Sequence, residues 1–243
     1  MIHSPRPASP SEAGRRVAVA LDLPTLDAAR TFAAEVAPHV GVLKVGLELF
    51  VRFGPRAVEA LAPIGREVFL DLKLHDIPET VGRAVAQARE LGVRYLTVHA
   101  GGGPAMLRAA TEAAGDELTI LAVTVLTSLS HDDLRAVGVE RSPLDHALGL
   151  ARMATDAGVR GFVTSAHEVG ALRAALPEAV LVTPGIRPAG AASGDQKRVA
   201  TPASAIAAGA SLLVVGRPLR DAADPRAAAA TLEAEVASAL EAR

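Results

Sequence analysis

The chain of 243 residues contains no cysteine and no tryptophan. Without cysteine there can be no disulfide and no thiolate metal site, a composition that fits a reducing cytoplasm. Long hydrophobic runs are missing too. No stretch approaches the roughly 20 uninterrupted apolar residues of a membrane span, so a soluble protein with no membrane partner is expected. The N-terminal stretch MIHSPRPASPSEAG, residues 1 to 14, is rich in Pro and Ser and lacks the continuous apolar core of a signal peptide. A flexible tail is expected there, ahead of a single domain over residues 15 to 243. A net charge of −2 and the lack of a long basic run argue against nucleic acid as the main partner and leave a small molecule as the default ligand.

Lysine is scarce as well. Of 25 basic residues 22 are arginine, and the lysines are Lys44, Lys73 and Lys197. Arginine is effectively always charged, whereas lysine is a compact ammonium that can give up a proton. Chance accounts for Lys197, in a polar stretch, but not for Lys44 and Lys73.

What the chain does contain is a regular alternation. Short apolar runs (RVAVALDL, GVLKVG, REVFLDLKL, VRYLTVHA, LTILAVTVL, VRGFVTS, AVLVTPG and SLLVVGR) are each followed by an amphipathic, alanine-rich segment. Among these segments, residues 25 to 40 read as a helix started by Thr25, and residues 48 to 65 as one helix. Eight βα units in about 240 residues imply a parallel sheet buried on both faces and fit a TIM (β/α)8 barrel. A doubly wound open sheet is the competing architecture, because periodicity does not show closure.

In a (β/α)8 barrel the active site lies at the C-terminal ends of the strands. Asp22 ends the first strand, Lys44 the second, Asp71 and Lys73 the third, and His99 the fourth. Strand alternation puts Phe69, Asp71 and Lys73 on one face and Leu70, Leu72 and Leu74 on the other, so both charges can point into the barrel mouth. Desolvated charges need partners. Asp22 with Lys44 and Asp71 with Lys73 would form a compensated array, which stabilises a fold poorly but holds fixed charge beside a reaction centre. In HDIPETV, Asp76 suits an N-cap ahead of Pro78, so capping and function both remain open for it. His75 reads as structural; His99 reads equally as lining the mouth or as a satisfied structural histidine.

The loops after strands seven and eight of such barrels often hold phosphate. They contain TPGIRPAGAASGDQKRVATP and VVGRPL, where Gly185 and Gly216 allow close backbone approach, Arg187 and Arg217 offer guanidinium forks, and Gln196 adds a neutral donor. The segment from Gly185 to Arg198 is long for a βα loop and reads either as a lid or as an insertion. GGGPAM lacks the spacing of a nucleotide-binding glycine motif and reads as a turn into a helix.

Taken together, DLKLHDIPETV, ALDLP, KVGLELF, TVLTS, TPGIRP, DQKRVATP and VVGRPL resemble the orotidine 5′-monophosphate decarboxylase family, the last enzymes of de novo UMP synthesis. The resemblance covers most of the chain, with no departure at these motifs. It implies a cytoplasmic TIM-barrel homodimer that decarboxylates orotidine 5′-monophosphate with neither metal nor organic cofactor. Asp22 and Lys44 would contact the ribose, Asp71 would lie beside the substrate carboxylate, and Lys73 would protonate C6. Asp76 and Thr80 would reach into the partner's site. Thr127 would sit by the pyrimidine, and Arg187, Gln196, Gly216 and Arg217 would hold phosphate. The alternative is a Mg²⁺-dependent sugar-phosphate decarboxylase or aldolase of the same superfamily. Lys44, where such chemistry would suit an acidic metal ligand, argues against it.

Overall fold

The computed structural model describes residues 9–187 and 200–242. Each apolar run forms a strand: β1 (Val17–Ala20), β2 (Val42–Gly46), β3 (Glu67–Leu74), β4 (Tyr95–His99), β5 (Thr119–Val123), β6 (Gly161–Val163), β7 (Val180–Thr183) and β8 (Leu212–Val215). All pair in parallel with their sequence neighbours, and β8 returns to β1 to close the barrel, which rules out the open sheet. The helices are α1 (Glu12–Arg15), α2 (Leu26–Val36), α3 (Leu47–Phe53), α4 (Arg56–Glu59), α5 (Pro78–Glu90), α6 (Gly103–Ala114), α7 (His131–Ala136), α8 (Pro143–Asp156), α9 (Val169–Ala175), α10 (Pro202–Ala207), α11 (Arg217–Arg220) and α12 (Pro225–Glu241).

Strand alternation divides the core in two. Outward-facing Val19, Leu43, Leu70, Leu96, Ile120, Phe162, Leu181 and Leu213 join the inner faces of the helices in one large cluster. Inward-facing Ala18, Val42, Phe69, Leu121, Val182 and Leu212 form a second cluster in the barrel interior, with Tyr95 and Val214 against it. Apolar packing therefore closes the barrel beneath the C-terminal rim, and that floor limits a ligand to the mouth.

Two local expectations need correction. Residues 48 to 65 do not form one helix: Gly54 adopts a left-handed φ of 58° and its N–H caps Phe50 at 2.7 Å, ending α3 before Pro55 opens α4. Nor does a free tail extend to residue 14. Ser11 caps α1, whose Ala13 is buried, and its hydroxyl bonds Glu233 of α12. His39 Nδ1 lies 2.7 Å from the other Glu233 oxygen, so one carboxylate ties α1, the 3₁₀ turn Ala37–His39 and α12 together at the N-terminal end of the barrel.

Candidate active site

β2 and β3 deliver Lys44, Asp71 and Lys73 to the rim as the alternation predicts, whereas β1 ends at Ala20 and Asp22 lies two residues past it rather than ending the strand. The four charges form one continuous line rather than two separate pairs. Lys44 Nζ lies 3.8 Å from Asp22 Oδ1 and 3.4 Å from Asp71 Oδ2, while Lys73 Nζ lies 2.7 Å from Asp71 Oδ1. The order is Asp22, Lys44, Asp71, Lys73, with sign alternating at each step. Lys44 is 8% exposed, and it is tolerated there because it stands between two carboxylates. Burial alone would raise the Asp71 carboxyl. The charges of Lys44 and Lys73, with hydrogen bonds from Lys73 and Thr97, outweigh it and hold the group below the usual carboxylate range.

Room for this line comes from Gly46. A Cβ at this position would sit 2.9 Å from Asp22 Oδ1 and 3.3 Å from Lys44 Nζ, so a side chain would displace the carboxylate. Lys73 adopts φ 51°, the left-handed region, and is the sole non-glycine residue there among those described. That conformation costs an L-residue about 1–2 kcal/mol, and strain of this kind gathers at functional sites.

The mouth is a cavity of about 520 Å³. Asp22, Lys44, Asp71 and Lys73 line one side, and Thr127, Arg187, Gly216 and Arg217 another, so the structure brings together eight predicted site residues in one pocket. Val123, Val163, Val182 and Val214 supply an apolar lining. The pocket joins a polar array, an apolar surface and paired guanidinium groups, which suits a ligand with a flat ring and an anionic group. Gly185 has φ 81° and needs the freedom of glycine, whereas Gly216 has φ −114° and only an ordinary contact with Ala20. Gln196, Lys197 and most of the predicted lid lie outside the described residues.

Asp76 and Thr80 do not join this pocket. Both are exposed around the start of α5. Asp76 is not the N-cap either: Ile77 holds that position without a side-chain bond, and Asp76 Oδ1 instead accepts the Ile77 N–H at 2.6 Å. His75 and His99 lie beside each other, with ring centroids 5.5 Å apart and planes tilted by 41°, and neither lines the cavity. Burial, then His75 and Lys73, push the His99 imidazole below its ordinary value, and Asp71 opposes them.

The sequence reading passed over three residues. Gly46 follows Lys44 by two positions on the same strand face, a signal that that face is crowded. Thr97 is a polar residue at an inward-facing place on β4, buried completely, and its hydroxyl donates to Asp71 Oδ1 at 2.9 Å. Arg220 lines the cavity and donates to the Asp22 carbonyl at 3.2 Å, a contact across 198 positions that sequence spacing could not suggest.

The chain is similar to proteins of a known family. The family model described as Orotidine 5′-phosphate decarboxylase / HUMPS family matches residues 15–232. An orotidine 5′-phosphate decarboxylase of Anaeromyxobacter sp. (strain K) is 58% identical over 93% of this chain and 98% of its own length. One from Thermobifida fusca is 55% identical over 90% and 95%. The crystal structure of orotidine 5′-phosphate decarboxylase from Lactobacillus acidophilus superposes with a TM-score of 0.80 at 36% identity, covering 91% of this chain and 99% of that one. The chain belongs to the orotidine 5′-phosphate decarboxylase / HUMPS family.

Proposed function

We propose that this protein decarboxylates orotidine 5′-monophosphate to UMP without a cofactor, as a cytoplasmic enzyme of pyrimidine synthesis. The observation that carries the reading is the Asp22–Lys44–Asp71–Lys73 line in the same cavity as Arg187 and Arg217. With the phosphate held by the two guanidinium groups and the ribose by Asp22 and Lys44, the pyrimidine lies over the apolar lining near Thr127. Its C6 carboxylate then faces Asp71 and Lys73. The C6–carboxyl bond breaks heterolytically, carbon dioxide departs, and the electron pair stays on C6 in the plane of the ring, outside the π system. Lys73 passes a proton from Nζ to C6 and is reprotonated from solvent.

An ammonium about 4 Å from the carbanion contributes on the order of 4 kcal/mol at an effective dielectric near 20. Enzymes supply roughly 8–23 kcal/mol, so the remainder falls to phosphate binding energy spent on orientation. The Mg²⁺-dependent alternative fits less well, because the Lys44 ammonium already stands between Asp22 and Asp71, where a cation bridging those carboxylates would sit.

We further infer a homodimer with shared sites. Asp76 and Thr80 project outside their own cavity, and the apolar side chains of Ile77, Leu47 and Val51 are exposed on the same or neighbouring elements. The direct test follows the ultraviolet absorbance of orotidine 5′-monophosphate with purified protein in EDTA. Turnover to UMP is expected at an undiminished rate. No turnover by the folded protein, with activity on a sugar phosphate once Mg²⁺ is added, would move the assignment to the metal-dependent relatives.

A further inference from the structure

We propose that Thr97 is a positioning residue for the reaction, a single buried hydroxyl that sets both the backbone of Lys73 and the carboxylate of Asp71. The inference rests on the decarboxylase reading above.

Three observations converge on it. First, the β3–β4 register shifts between Leu70 and Leu74, and Asp71, Leu72 and Lys73 have no Cα partner on β4. The chain leaves the ladder where the charged residues begin. Second, Lys73 sits at φ 51°, a conformation that persists in an L-residue only where its surroundings hold it. Third, the Lys73 N–H donates to Thr97 Oγ1 at 2.9 Å, so a side-chain hydroxyl takes the place of a ladder carbonyl. The hydroxyl's own proton goes to Asp71 Oδ1 at 2.9 Å, the oxygen that also accepts from Lys73 Nζ at 2.7 Å.

A closed ring results, running from the Lys73 backbone through Thr97 and Asp71 to the Lys73 ammonium. It uses the one donor and one acceptor of the hydroxyl that matter here. With Oδ1 saturated by Thr97 and Lys73, Oδ2 is turned toward Lys44 at 3.4 Å. Thr97 is fully buried and absent from the cavity wall, so it acts through Asp71 and Lys73 and touches no substrate. Valine has the same shape but no hydroxyl. It would leave the Lys73 N–H without a partner and Asp71 with one donor fewer.

The test uses the full-length protein and the variants Thr97→Val, Thr97→Ser and Thr97→Ala, with folding checked by circular dichroism and sedimentation. For Thr97→Val the single-turnover rate is expected to fall about 10- to 100-fold, the size of a lost hydrogen bond to a charged group. KM, and UMP affinity by calorimetry, are expected to stay within about threefold, since phosphate and ribose contacts are untouched. Losing a donor to the Asp71 carboxylate raises its pKa, so the acid limb of the kcat/KM profile moves to higher pH. Thr97→Ser keeps the oxygen and is expected to stay close to wild type. Should the valine variant not fold, Ser against Ala differ by that one oxygen and decide the matter. Wild-type turnover and pH profile in Thr97→Val, or equal losses in Ser and Ala, would overturn the proposal. An inactive wild-type enzyme would instead overturn the decarboxylase reading, and is seen before any variant is compared.

Discussion

Lys73 combines three demands that rarely meet in one residue: a strained backbone, an ion pair with Asp71 and a place on the cavity wall. If its ammonium stabilises and protonates the carbanion, Lys73→Ala is expected to lower turnover by about a thousandfold or more. That factor corresponds to the roughly 4 kcal/mol of the electrostatic interaction alone. The protein should remain folded, because an apolar replacement removes a charge from the rim and no core packing. Stopped-flow absorbance gives the rate and circular dichroism the fold; near-parental turnover would remove Lys73 from its role. The charges on β2 and β3, and Asp22 just past β1, were legible in the sequence because each stands out against an apolar run. The central place of Asp71 between two lysines was not, since the Lys44–Asp71 contact depends on how β2 and β3 lie side by side.

At the scale of elements, the strands were easier to read than the helices. A buried parallel strand is a short apolar run and is bounded by its own composition. The helical segment over residues 48 to 65 instead broke at Gly54 and Pro55, where backbone conformation overrode a continuous amphipathic pattern. β2 carries a second lesson, because its last residue serves the site by lacking a side chain. Gly46→Ala is expected to preserve the melting temperature within a few degrees and to lower kcat/KM about 10- to 100-fold, the cost of a small displacement in a positioned group. Steady-state kinetics beside a thermal melt separate the two effects. Unchanged kinetics would mean that Asp22 has a second workable rotamer.

At the scale of the whole molecule, one chain builds a complete barrel and a cavity, yet Asp76 and Thr80 are exposed and do not line it. The shared-site reading makes a distinct prediction. Lys73→Ala and Asp76→Ala subunits are co-expressed with different tags, and the mixed dimer is purified on both. One of its two sites then carries both substitutions and the other carries neither, so about half the parental activity is expected from two nearly inactive parents. No recovery in the mixed dimer would place Asp76 in its own subunit's chemistry, and an Asp76→Ala parent with near wild-type turnover would place it outside the chemistry altogether.

The amino-acid sequence by itself determined the eight-fold alternation, the rim position of the charges and the family motifs, because these follow from local periodicity and residue type. Only the tertiary structure decided that the barrel closes through β8 and β1, that Lys44 lies between two carboxylates, and that Gly46, Thr97 and Arg220 support them. Those facts depend on pairing between strands and on contacts between segments up to 198 positions apart, where distance in space is independent of distance along the chain.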